Sequence, residues 1–225
     1  MKIDVTQDIM AANNAYAEKN RSLFAADGIY AVNILGSPGA GKTSLLEKIL
    51  SAVTGRLKTA VIEGDLATAR DAQRIADCQV PVLQINTNGG CHLDAKMIND
   101  VLPAFKLTDI DLMIIENVGN LVCPAAFDLG EDAKLLVMSI TEGGDKPGKY
   151  PTTFLAADVV ILNKIDLLPY IDVDMAALKE EILQINAKAV IFETCAFGEK
   201  VSGIEQLADW LAVHSKTKYK KGKVI

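Results

Sequence analysis

The chain has 225 residues, half of them apolar (50%) and 23% charged, enough to bury a continuous core in one α/β domain. A net charge of -6 argues against general affinity for nucleic acid or an anionic membrane surface. No apolar run is long enough to cross a bilayer, and the first residues, Met1-Lys2-Ile3-Asp4-Val5, do not read as a signal peptide. Four scattered cysteines (Cys78, Cys91, Cys123, Cys195) do not make a disulfide framework, so a cytoplasmic location is expected.

In chain order, residues 5–26 read as a helix ending at the turn signal Asp27-Gly28. The apolar run from Ile29 to Leu35 reads as a buried strand, and it leads into Gly36-Ser37-Pro38-Gly39-Ala40-Gly41-Lys42-Thr43-Ser44. This stretch fits G-x-x-x-x-G-K-[ST], and residues 41–54 after it carry apolar positions at helical spacing. Strand, glycine-rich turn and helix form a phosphate cradle in which backbone N–H groups and the helix N-terminus face the anion. Lys42 would reach the β- and γ-phosphates, and the Thr43 hydroxyl would take Mg²⁺.

Further strands are expected at 59–62, 80–85, 112–115, 135–140, 159–162 and 189–192, with helices at 67–77, 93–105, 173–187 and 203–213. Continuous rather than alternating hydrophobicity indicates strands covered on both faces, hence a doubly wound, mostly parallel sheet flanked by helices. One domain over residues 1–225 is the economical organisation, with the basic tail from Lys216 to Lys223 a frayed, solvated end. Ligands of such folds gather at the carboxyl ends of the strands, which directs attention to the residues just past each one.

Asp65 and Glu116 stand there, each placed to hold Mg²⁺ directly or through water, or to orient an attacking water; Asp65 also suits a helix cap. The division of labour between them stays open. Lys42, Asp65 and Glu116 are the expected catalytic set for in-line attack on a γ-phosphoryl group. Asn163-Lys164-Ile165-Asp166 follows another strand with the N-K-x-D spacing. The Asp166 carboxylate can only accept hydrogen bonds, which matches the N1–H and N2–H₂ donors of guanine and not adenine. Lys164 would lie over the base and Asn163 would brace the loops, so GTP is favoured over ATP. The small-residue turn Glu193-Thr194-Cys195-Ala196-Phe197-Gly198 offers a further base contact.

Soft ligands form a second constellation. Cys91 and His92 are adjacent at what reads as a helix start, where the Cys91 thiol would have a lowered pKa, and Cys123 follows a neighbouring strand. Two thiolates and an imidazole suit Zn²⁺ or Ni²⁺, although either cysteine also suits plain packing. Three ligands leave a site open, and a second subunit across a two-fold axis would complete it. Cys78, Cys195 and His214 lack such company and read as structural.

The phosphate loop, Asn88-Gly89-Gly90-Cys91-His92-Leu93-Asp94-Ala95, Glu116-Asn117-Val118-Gly119-Asn120-Leu121-Val122-Cys123-Pro124, Thr141-Glu142-Gly143-Gly144-Asp145-Lys146-Pro147 and Asn163-Lys164-Ile165-Asp166 together resemble the HypB family, nickel-incorporation GTPases of [NiFe]-hydrogenase maturation. The resemblance runs from about Ile3 to Leu211. It implies a metal-regulated GTPase that forms a homodimer with GTP, and slow turnover is expected from the intact Lys42, Thr43, Asp65 and Asp166. It also implies delivery of Ni²⁺ to the hydrogenase large subunit, with a partner metallochaperone. Cys91, His92 and Cys123 would then ligate Ni²⁺ or Zn²⁺ at the dimer interface. Some members add an N-terminal Cys-x-x-Cys-Gly-Cys motif or a histidine-rich stretch, and these residues contain neither. Two rivals stand: a urease-type nickel-insertion GTPase, whose metal motif is Cys-Pro-His, and a passive metal carrier whose nucleotide site only controls dimerisation.

Overall fold

The computed structural model describes residues 5–65, 74–198 and 201–222, with side chains over 8–64, 74–198 and 201–217. Seven strands form one sheet: β1 (Tyr30–Gly36), β2 (Thr59–Asp65), β3 (Val82–Asn86), β4 (Leu112–Glu116), β5 (Ala133–Ser139), β6 (Val159–Asn163) and β7 (Val190–Thr194). Their order is β3-β2-β4-β1-β5-β6-β7, and each of these seven strands pairs in parallel with its neighbours. The apolar runs persist along the strands because both faces are covered, and all residues of β1, β4 and β6 are buried.

On one face, α2 (Lys42–Val53) lays Leu45, Leu46, Ile49, Leu50 and Val53 against Val32, Ile34 and Ile114. The last helix, α8 (Ile204–Gly222), adds Leu207 and Leu211 to the same layer. The other face is covered in two parts. Phe24 of α1 (Val5–Asp27) and Ile98 of α3 (Ala95–Val101) pack on Ala31, Ile62, Met113 and Ile115. Phe154 of α6 (Pro151–Ala156), with Leu178 and Ile182 of α7 (Met175–Ile185), packs on Leu136, Met138, Val160 and Leu162. Two one-turn helices, α4 (Cys123–Ala126) and α5 (Lys146–Lys149), each begin with a proline in the first turn, where no backbone N–H is required.

Two expectations change. The helix predicted over 93–105 starts at Ala95 and gives way at Leu102–Ala104 to a 3-10 turn containing Pro103, whose missing N–H cannot extend an α-helix. The helix predicted over 203–213 runs on as α8 to Gly222, taking in Lys216 of the basic tail. Most of the helix predicted over 67–77 lies outside the described residues, of which 74–76 are helical. Among the described residues no helix is long and apolar enough to cross a membrane.

The chain leaves β1 for β2 and β3 on one side, returns to β4 beside β1, and crosses to β5 on the other side. The switch point therefore lies at the carboxyl end of β1, where the phosphate loop emerges.

Candidate functional site

A cavity of about 660 Å³ opens at this switch point, within the size range of a nucleotide pocket. The phosphate loop forms its floor. Gly41 caps α2 with φ 95°, and a Cβ there would stand 2.6 Å from Asn163 Nδ2, so only glycine lets the loop lie against β6. The Lys42 ammonium folds back on the loop, donating to the carbonyls of Gly36 (3.3 Å) and Ser37 (3.4 Å). The Thr43 hydroxyl donates to Glu116 Oε1 at 2.8 Å, in a buried pair. A hydroxyl and a carboxylate oxygen at the start of α2 are the hard oxygen donors Mg²⁺ prefers. Asp65 ends β2 in register with Asn86, and its side chain lies outside the described residues.

The second wall comes from the end of β6. Asn163 Nδ2 donates to Ala40 O (2.9 Å) while its Oδ1 accepts from the Thr194 hydroxyl (3.1 Å), joining the phosphate loop to β7. Lys164 adopts a left-handed backbone conformation at φ 66°, and its ammonium donates to Gly39 O at 2.7 Å. Asp166, Ala196 and Phe197 complete this side, and the Phe197 side chain is 81% exposed, open to a ligand at the rim. Cys195 is buried just behind them, donating to Phe197 O at 3.2 Å. Burial, with the Asp166 carboxylate close by, pushes its thiol pKa up.

Two charged lining residues were not singled out from sequence. Glu63 is 3% exposed and in register with Glu116 across the β2–β4 pair, which puts two carboxylates on one wall. An acidic residue inside the apolar run of β2 was the available signal, since a buried charge needs a partner or a cation. Arg74 donates to both Glu47 oxygens (2.8 and 2.9 Å) and to the Ser44 hydroxyl (3.1 Å), which sets a guanidinium at the cavity rim.

The thiol and imidazole residues meet beside this cavity. One ligand atom from each of Cys91, His92 and Cys123 falls within 4.8 Å of the others. The approach of the first two is built by an Asn-Gly turn: Asn88 and Gly89 have φ 50° and 88°, and Gly90 N donates to Thr87 O at 2.9 Å. Cys91 Sγ lies 3.4 Å from His92 Nδ1, and the His92 ring stacks on Phe127 at 3.9 Å between centroids. Cys123 opens α4, whose first amides are held by Asn120 Oδ1 (Val122 N, 2.8 Å; Cys123 N, 3.4 Å).

The pKa expected of Cys91 is corrected. The helix begins at Ala95, with Asp94 as its cap accepting from Met97 N at 2.7 Å, so Cys91 is outside the reach of the helix N-terminus. A hydrogen bond with the Cys123 thiol, followed by desolvation, instead moves the Cys91 pKa up. Burial moves His92 the other way, downward, which favours the neutral imidazole that binds metal.

Residues 30–193 match the family described as CobW/HypB/UreG, nucleotide-binding domain. A hydrogenase maturation factor HypB of Escherichia coli is 46% identical over 210 residues, covering 93% of this chain and 71% of that protein. The chain belongs to the HypB family. A solved HypB structure from Archaeoglobus fulgidus superposes with a TM-score of 0.84 at 37% identity, covering 91% of this chain and 99% of its own. HypB from Helicobacter pylori, solved in complex with nickel, gives 0.86 at 36% identity, covering 92% and 97%. The P-loop fold is therefore shared with these HypB structures, and the matched segment is a nucleotide-binding domain.

Proposed function

We propose that this chain hydrolyses GTP to GDP and phosphate, slowly, and uses that cycle to deliver Ni²⁺ toward a [NiFe]-hydrogenase large subunit together with a metallochaperone partner. One observation carries the reading: a two-thiol, one-imidazole cluster drawn within 4.8 Å sits beside a cavity built from a phosphate loop and N-K-x-D. The nickel in the Helicobacter pylori relative favours Ni²⁺ as the cargo, and the same donors also accept Zn²⁺.

Thr43 and Glu116, with Asp65 at the end of β2, would hold Mg²⁺, which supplies charge neutralisation at the phosphates. The Lys42 ammonium exchanges its two carbonyl acceptors for phosphate oxygens, and the glycine-rich backbone fixes the γ-phosphoryl group for in-line attack by water. Asp166 accepts from guanine, with Lys164 lying along the base and Asn163 holding the loops together. The three metal ligands come from one chain, so a second copy across a two-fold axis supplies the rest of the coordination sphere. Four free cysteines fit a reducing, cytoplasmic setting.

The test is a GTPase assay with nucleotide competition. Lys42→Ala is expected to cut the hydrolysis rate by about 100-fold or more, and Asp166→Asn to erode the preference for GTP over ATP. Hydrolysis indifferent to Lys42→Ala would leave a passive carrier. A GTP/ATP ratio unchanged in Asp166→Asn would remove the assignment of guanine.

A further inference from the structure

A polar chain crosses an otherwise apolar layer of the protein. Glu131 Oε1 accepts from Asn33 Nδ2 (3.2 Å), Asn33 Oδ1 accepts from Asn117 Nδ2 (3.2 Å), and Asn117 Oδ1 accepts from the amides of Leu93 and Val118 (both 3.0 Å). Asn33 and Asn117 are almost completely buried, at 0% and 1% exposure. Buried amides bonded at both their oxygen and their nitrogen resist rearrangement, because a flip strands a donor or an acceptor.

Asn117 stands between two functional territories. Asn117 lines the nucleotide cavity and directly follows Glu116, the acceptor of the Thr43 hydroxyl. Leu93, whose amide it holds, directly follows His92. Two hydrogen bonds and two steps along the backbone thus separate the Thr43 hydroxyl from the imidazole. Leu93 is gripped from a second side as well, since a Cβ on Gly64, another cavity residue, would stand only 2.8 Å from its side chain. The remaining ligand hangs from the same loop. Asn120 bridges to Gly36 of the phosphate loop, and its side chain carries the first amides of α4, Cys123 among them.

We infer that Asn117 is a positioning residue that transmits the state of the nucleotide cavity to the metal ligands by holding the Leu93 amide. The inference rests on the proposed GTP and nickel sites, and adds the element that joins them. When the end of β4 shifts with the nucleotide, Asn117 carries Leu93 and therefore His92 with it, while Asn120 carries Cys123. The distances among the three ligands then depend on what occupies the cavity.

Ni²⁺ affinity is measured on the full chain by competition with a chromophoric chelator, once with GDP and Mg²⁺ and once with a non-hydrolysable GTP analogue and Mg²⁺. The wild-type affinities are expected to differ by about 5-fold or more, the lower end of measured couplings, and by linkage Ni²⁺ changes affinity for the analogue by the same factor. Asn117→Ala brings the ratio close to one. Asn33→Ser, which touches neither site but removes the partner of Asn117 Nδ2, lowers the ratio while both Ni²⁺ and nucleotide are still bound. A general structural defect would weaken binding without moving the ratio. A wild-type ratio kept in both variants, or a wild-type ratio of one with both ligands bound, overturns the inference and leaves the two sites standing. Failure of the wild-type chain to bind Ni²⁺ or GTP overturns the functional reading and the inference together.

Discussion

Glu131 illustrates how one buried side chain sets the direction of others. Both of its oxygens accept, one from the Leu129 amide at 2.6 Å and the other from Asn33 Nδ2 at 3.2 Å. Asn33 is thereby forced to turn its oxygen to Asn117, which in turn presents its own oxygen to Leu93. Glu131→Gln puts an NH₂ group against one of these donors and is expected to cost about 1–3 kcal/mol, the penalty for a stranded buried group. The pH dependence has a definite sign. Burial raises the Glu131 pKa above its ordinary 4.5, despite Lys134 nearby. The folded state therefore holds this proton more tightly than the unfolded chain. The stability this gives is complete below the ordinary carboxyl range and is lost as pH rises through the raised value. The gap between wild type and Glu131→Gln in urea unfolding should accordingly narrow from pH 4.5 upward. A gap that widens over that window would contradict the assignment.

At the scale of elements, the segment after the metal ligands is clamped by α1 as well as by β4. Asn13 Oδ1 accepts from Ala95 N (2.9 Å), and Asn20 Nδ2 donates to Ala95 O (2.8 Å) and Leu129 O (2.9 Å). Asn20 is fully buried, so Asn20→Ala strands two carbonyls and should cost about 3 kcal/mol. Its neighbour Arg21 pairs with Asp128 at 2.6 Å but is over a third exposed, so Arg21→Ala should cost less than about 1 kcal/mol. Equal costs for the two in denaturant titrations would refute the clamp. The strands were legible because burial on both faces writes continuous apolar runs, and the phosphate loop and N-K-x-D because their spacing is local. Asn33 and Asn117 were not, although a polar residue such as Asn33 within a buried strand must have a partner somewhere. Their partners, 84 residues apart in the chain, are brought together only by the sheet. Helix starts were harder still: a helix predicted from residue 93 put Cys91 at its N-terminus, whereas the start at Ala95, with Cys123 beside the thiol, reverses the sign of the pKa shift.

For the whole molecule, the accessibility of the metal cluster bears on assembly. Cys91 is exposed, and Cys123 and His92 are only partly covered, so the cluster faces outward rather than into a closed pocket. Structural zinc sites close four ligands around the ion, whereas this one offers three from a single chain. A two-fold contact would bring a second set to the same ion, giving one Ni²⁺ for two chains. Mass measurement with the GTP analogue and Ni²⁺ should then show a doubled mass and a half-stoichiometric metal, and Cys91→Ala should abolish the bound metal. The dimer should persist in Cys91→Ala if nucleotide rather than metal drives association, and fall back to monomer if the ion is the bridge. One Ni²⁺ per chain at unchanged monomer mass would sink the shared site. The fourth ligand would then have to come from water or from a partner protein, a coordination sphere more easily opened for transfer.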